Sequence, residues 1–280
     1  MTAADPVSLE RATTDRSIKR MVWAKRAQLL LGRIAIGVGI CVIWWAAVRS
    51  GLIDKFFVSS PDDVGRFLID NFAHQLLPHA IDSLIATLTA FALSGICGIG
   101  TGLLLVEVPL LRNLANPFLT AFNSLPRIAL APIFILWFGI GVLSKVALAF
   151  SLGFFIVLNN TIAGIRNVDP TLIRLSRTVG CSGIQQFWKI TLPWAIPSVF
   201  AGLKLALIYS FLGVVTSEMI ASRVGLGNLI MYYSGIFRMD AVLAILVVLA
   251  CCSVLITVVA DMIEAALVGS WTEPSQSARG

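Results

Sequence analysis

Asp169 and Pro170, then Gly180, then Ser182 and Gln185 are the residues of this 280-residue chain whose types and spacing most clearly specify a device. A carboxylate before a proline starts a helix, because the acid accepts from orphan N–H groups and proline tolerates the first helical position. Ser182 with Gln185 three residues later has the form of a capping box. Leu172, Leu175 and Val179 share one face of a first short helix, with Arg174, Arg177 and Thr178 on the others; Ile184, Phe187 and Trp188 share a face of a second. The spacing predicts an end to the first helix near Gly180 and a stop to the second at Leu192-Pro193. Two short amphipathic helices on a glycine turn, carrying aromatic and basic groups together, form a surface for a protein partner. The plainer alternative is a loop lying on a membrane or packed on its own helix ends.

The remaining candidates are isolated ionisable groups. Arg127 stands between Pro126 and Ile128, with Pro117 and Pro132 nearby; Lys204 interrupts another apolar stretch, and Glu218 lies near its outer end. An arginine at membrane depth is a functional candidate, attracting an anion if it lines a cavity, unless it pairs with carbonyls or Glu218 or reaches to the surface. Glu218 either caps a path or meets the aqueous rim, and Lys204 snorkels. Catalysis has no residues to work with: no paired carboxylates, no nucleophile with its base and no metal cluster are spaced for it, and the two histidines are His74 and His79. A phosphate-binding P-loop requires glycine directly before its lysine. The residues before Lys19, Lys25, Lys55, Lys145, Lys189 and Lys204 are Ile18, Ala24, Asp54, Ser144, Trp188 and Leu203, so the chain is expected to bind no nucleotide that way and to be no enzyme. No cofactor is expected. Cys41, Cys97, Cys251 and Cys252 lie in apolar runs and Cys181 in a polar loop, which reads as small buried hydrophobes without a redox role.

The elements that must position these groups are membrane spans. The chain is 58% apolar before glycine is counted and 13% charged, with a formal net charge of +6. That composition excludes a disordered chain, a secreted disulfide scaffold and a nucleic-acid binder. About 20 helical residues cross a hydrocarbon core. Ser83 to Val106, Val146 to Ile165 and Ala241 to Ala260 carry no charge. Ala27 to Val48, Asn113 to Ser144 and Ile190 to Ser217 are interrupted by Arg33, Arg127 and Lys204 respectively. The expectation is an all-α polytopic protein of six helices. It comprises a polar tail over residues 1–26, a transmembrane domain over 27–270 with a loop at about 166–197, and a second tail over 271–280. Thirteen of the 21 lysines and arginines fall on one set of flanks and six on the other, which places both termini and the two-helix loop in the cytoplasm. Pro61, Val64, Phe67, Leu68 and Phe72 suggest a short interfacial helix outside. The prolines around Arg127 predict a broken third span. The small residues Ala86, Ala90, Ser94, Gly98 and Gly102, and Gly202, Ala206 and Ser210, predict close helix seams.

The run Gly180, Phe187, Ile190, Leu192 and Pro193 resembles the "EAA" loop of permeases in ATP-binding-cassette importers, with Arg174, Leu175 and Ser176 where the family opens on Glu-Ala-Ala. Leu125-Pro126-Arg127-Ile128-Ala129-Leu130-Ala131-Pro132, Leu136 to Gly141, Ala201 to Ala206, Glu218 and Gly225-Leu226-Gly227 are similar to the nitrate, sulfonate and taurine branch. The resemblance covers roughly residues 59–270. It implies an inner-membrane, multi-pass permease subunit that moves a small solute. Its partners would be a separate cytoplasmic ATPase seated on the loop, an extracytoplasmic solute-binding protein and a second permease copy. An autonomous channel or ion-coupled transporter is the competing class. It would show ionisable groups at mid-membrane and paired broken helices, of which one is seen here.

Overall fold

The computed structural model describes residues 28–29, 31–33 and 35–268, so both expected tails lie outside the described residues. The described elements are helical: α1 (Leu31–Arg49), α2 (Pro61–Asn71), α3 (Leu77–Glu107), α4 (Pro109–Ser124), α5 (Ala131–Phe138), α6 (Val142–Arg166), α7 (Pro170–Thr178), α8 (Gly183–Gln186), α9 (Leu192–Ile220), α10 (Leu226–Gly235) and α11 (Met239–Val268). Five of the described helical stretches are long and apolar enough to cross a membrane, and six are if α4 and the segment through α5 count as one span. The two halves, Pro109–Ser124 and Arg127–Phe138, are bent by 89° at Leu125-Pro126, the break that the prolines predict.

The chain divides into two compact units that meet in sequence at Gly65 and Arg66. In the first, Trp45 Nε1 donates to Asp62 at 2.9 Å and the Arg49 guanidinium lies 4.9 Å from the Trp45 ring. In the second, α6 lies between α3 and α9, which form with it the two most extensive helix contacts of the molecule. The small-residue seams explain the closeness. A Cβ on Gly98 would stand 2.7 Å from Val157 Cβ, and one on Gly102 2.8 Å from Thr161. On the α9 side Gly202 meets Asn160 in the same way. Ala86, Ala90, Val146, Ala149 and Val214 complete a buried core between the three helices. The stripes therefore serve packing within one bundle.

Three expectations need correction, and one helix has no counterpart in the sequence reading. Pro61 does begin a helix, but α2 is no separate interfacial piece: it runs through a π-helical turn at Phe72–Leu76 into α3 as one stretch, Pro61–Glu107. Leu192-Pro193 does not stop the second loop helix either. The π-helical turn Phe187–Thr191 widens the backbone just before Pro193, and Leu192 N–H reaches back to Phe187 O. Helix therefore continues from Gly183 to Ile220; Pro193 falls in the first turn of its α9 portion, where the missing N–H is tolerated, and Pro197 lies inside that portion. The cysteines are not buried: Cys41, Cys97 and Cys251 are exposed, because an apolar helix in a bilayer turns such faces outward to lipid. Finally, α10 was not anticipated between the fifth and sixth spans.

Candidate functional site: a capped two-helix projection and a buried ion pair

Asp169, Gly180, Ser182 and Gln185 shape the 166–197 segment as their types require, whereas Leu192-Pro193 does not end it. Asp169 accepts from Thr171 N–H at 2.7 Å, and this bond holds its carboxyl below the ordinary carboxylate range. Helix α7 then closes on Gly180: Gly180 N–H donates to Arg177 O and Cys181 N–H to Ser176 O, both at 3.0 Å, the paired bonds of a Schellman turn. Gly180 has φ of +81°, a left-handed backbone that side chains with a Cβ adopt at a cost. One residue on, Ser182 Oγ accepts from Gln185 N–H at 3.3 Å while Ser182 N–H donates to Gln185 Oε1 at 3.1 Å. The capping box is thus complete. Phe187 and Trp188 meet edge to face at 5.7 Å, and Leu192 and Pro193 are half-buried where the projection joins α9. Leu175, Val179, Ile184 and Trp188 are all exposed, with Arg174 and Arg177 exposed beside them. A rigid turn thus presents an apolar patch fringed by guanidinium groups.

Glu218 is in neither place foreseen for it. It is 1% exposed, and so is Lys145, whose Nζ lies 3.0 Å from Glu218 Oε1. Around the pair Ser83 Oγ donates to Glu218 Oε2 at 2.8 Å, Gly227 N–H donates to the same oxygen at 3.0 Å, and Lys145 donates to Val224 O at 2.6 Å. Leu226 N–H donates to Ser83 Oγ, and Gly225 N–H meets His79 Nδ1 at 2.9 Å. Gly225, at φ +113°, is held so close that a Cβ would fall within the Glu218 carboxylate. The charges are therefore paired and hydrogen-bonded, the condition under which burial is tolerated. They tie α3, α6, α9 and the start of α10 into one knot. Lys145 stands between the apolar runs that end at Ser144 and begin at Val146, which in the sequence reads as a flank charge. The signal that identifies it is its depth: three residues into α6, it matches Glu218 two residues from the end of the neighbouring α9.

Arg127 pairs with neither Glu218 nor a backbone carbonyl. Its Nη2 donates to Asn123 Oδ1 at 2.5 Å, its guanidinium carbon lies 4.4 Å from the Phe155 ring centre, and among the described residues its Nε meets no acceptor. Lys204 binds Asp261 and, at 3.7 Å, Glu264, both on α11, so an ion pair accounts for it better than snorkelling. Arg127 and Glu218, the two residues considered for a solute path, are not brought together.

Comparison with known proteins gives the same outline. Residues 94–271 match the family described as binding-protein-dependent transport system inner membrane component. The chain is 28% identical over 242 residues to the taurine transport system permease protein of Escherichia coli (strain K12), covering 83% of this chain and 87% of that protein. It is 32% identical over 254 residues to the riboflavin transport system permease protein of Chloroflexus aurantiacus, covering 90% and 93%. Among solved structures, an inward-facing methionine ABC transporter superposes with a TM-score of 0.60 at 20% identity, over 68% of this chain and 95% of that one.

Proposed function

This chain belongs to the inner-membrane component family of binding-protein-dependent transport systems, and from that premise we propose how it works as the permease subunit of an ATP-binding-cassette importer. The projection formed by α7, the Gly180 turn and α8 docks into a separate ATPase. Leu175, Val179, Ile184 and Trp188 fill an apolar groove on that subunit, while Arg174 and Arg177 meet acidic groups at its edge. The closed turn supports this reading best: Asp169, Gly180 and Ser182 hold the patch in one conformation, so little ordering entropy opposes docking. This end of the chain, with both termini, faces the cytoplasm. The remainder is a multi-pass bundle in the inner membrane. A soluble binding protein delivers a small sulfonate-, taurine- or nitrate-like solute to the opposite face, and a second copy completes the transport core. ATP hydrolysis takes place on the partner, and the permease itself catalyses no covalent step.

The test is co-purification. Detergent-solubilised, tagged protein co-expressed with its ATPase should retain that subunit. Gly180→Ile forces a β-branched residue into a left-handed turn and should lose the ATPase at least ten-fold while the permease still elutes as one species. Retention at native affinity by the variant, or solute uptake by the purified chain alone in nucleotide-free vesicles, would overturn the reading and favour an autonomous transporter.

A further inference from the structure

A helix surrounded by lipid tails gains nothing from carboxamides, because polar groups left unpaired in hydrocarbon are costly. Helix α4 nevertheless carries Asn113, Asn116, Thr120 and Asn123 three or four residues apart, on one face. Its other face is Leu110, Leu114, Phe118 and Phe122, all exposed. Asn159, on α6, is exposed as well. The polar face of α4 and the end of α6 enclose an open cleft of about 490 Å³, lined by those asparagines together with Arg112, Arg166, Leu119 and Ile162 among others. Two arginines and no carboxylate are in that lining. At the far end of α4, the Phe122 and Phe155 ring centres lie 6.4 Å apart, tilted by 33°, and Arg127 holds the carboxamide of Asn123, its own Nε–H meeting no acceptor among the described residues.

Building on the permease reading, we propose that this cleft is the site through which the solute passes, and that it selects a small oxyanion bearing a sulfonate-like head on a short carbon chain. The chemistry follows from the lining. Carboxamide N–H groups of Asn116, Asn123 and Asn159 and the hydroxyl of Thr120 are neutral donors suited to an oxygen cluster with several lone pairs. Arg112, Arg166 and Arg127 supply a positive field along the cleft without a carboxylate to cancel it. Leu119 and Ile162 receive the alkyl portion. The volume leaves room for such an anion with part of its hydration shell, at about 30 Å³ per water. Neutral donors spread along a path release an anion more readily than a bidentate arginine clamp, as passage requires.

The test uses the full chain in lipid vesicles, with Cys41, Cys97, Cys181, Cys251 and Cys252 replaced by alanine and a single cysteine introduced as Asn123→Cys or Asn159→Cys. The probes are sulfonatoethyl methanethiosulfonate, an anion, and its trimethylammonioethyl counterpart, a cation. The ratio of their rates, normalised to a free thiol in solution, cancels any change in thiol reactivity. At both positions it should favour the anion by about ten-fold or more. It should fall toward that of a free thiol in the Arg112→Gln/Arg166→Gln background, and millimolar methanesulfonate should slow labelling. Phe118→Cys, on the opposite face, should react with neither probe. Inert cysteines at both positions, a preference for the cation, or a ratio indifferent to the arginines would overturn the assignment. Labelling needs neither ATPase nor nucleotide, so its failure would leave the docking reading to stand or fall by co-purification.

Discussion

Lys145 and Glu218 are stable where they are because each neutralises the other, and removing one leaves a charge sealed from water. Lys145→Met is therefore expected to destabilise the protein by about 3 to 5 kcal/mol. Adding Glu218→Gln should recover most of this loss, since a neutral amide still accepts from Ser83 and Gly227. Denaturation of the three proteins in the same detergent checks it; equal losses in single and double variants would show that the pair contributes no coupling. At Asp169 the relevant variable is pH. Its carboxyl is held below the ordinary range by Thr171 N–H, so its contribution to the α7 start is fully present above the unfolded carboxylate value. It should be lost as pH falls through the lowered folded value. The protection factor of the Thr171 amide, corrected for intrinsic exchange, should stay constant through neutral pH and decline only in that acidic window. Asp169→Asn should flatten the decline.

At the scale of elements, local rules were legible in the sequence wherever one short segment decides the outcome. Asp169-Pro170, Ser182 with Gln185 and the proline cluster around Arg127 each specify backbone geometry within a few residues, and the caps, the Gly180 turn and the broken span all appear as those residues require. Misreadings arose where a distant or wider geometry compensates. Proline at position 193 reads as a stop, yet a π turn one residue upstream removes the conflict, and nothing in the pattern of apolar residues reports a π turn in advance. The knot at Lys145 was hidden for another reason: its partners lie on other elements, including Gly227 at the start of α10, a helix whose apolar run is too short to be separated from loop by periodicity.

For the whole molecule, the closeness of α3 to α6 is set by glycine. Gly98→Ala places a methyl 2.7 Å from Val157 Cβ and 3.0 Å from a backbone oxygen, and is expected to cost about 1 to 3 kcal/mol through overpacking. Gly100→Ala, one turn face away on the same helix, meets nothing within 4 Å and should leave stability nearly unchanged. Melting temperatures of the two variants, compared with the parent, decide whether the seam or merely the helix is sensitive. Similar losses from both would show that α3 tolerates no methyl anywhere and that the seam is not special.

The unbroken stretch from Gly183 to Ile220 has a mechanical corollary. At 1.5 Å per residue it is a strut about 57 Å long, with Trp188 near one tip and Glu218 near the other. No loop interrupts it to absorb a push. Under the proposed docking, a thrust received at the tryptophan end is carried along this helix toward the carboxylate end, where α10 is moored, with the π turn at Phe187–Thr191 and Pro197 as the places where it can flex.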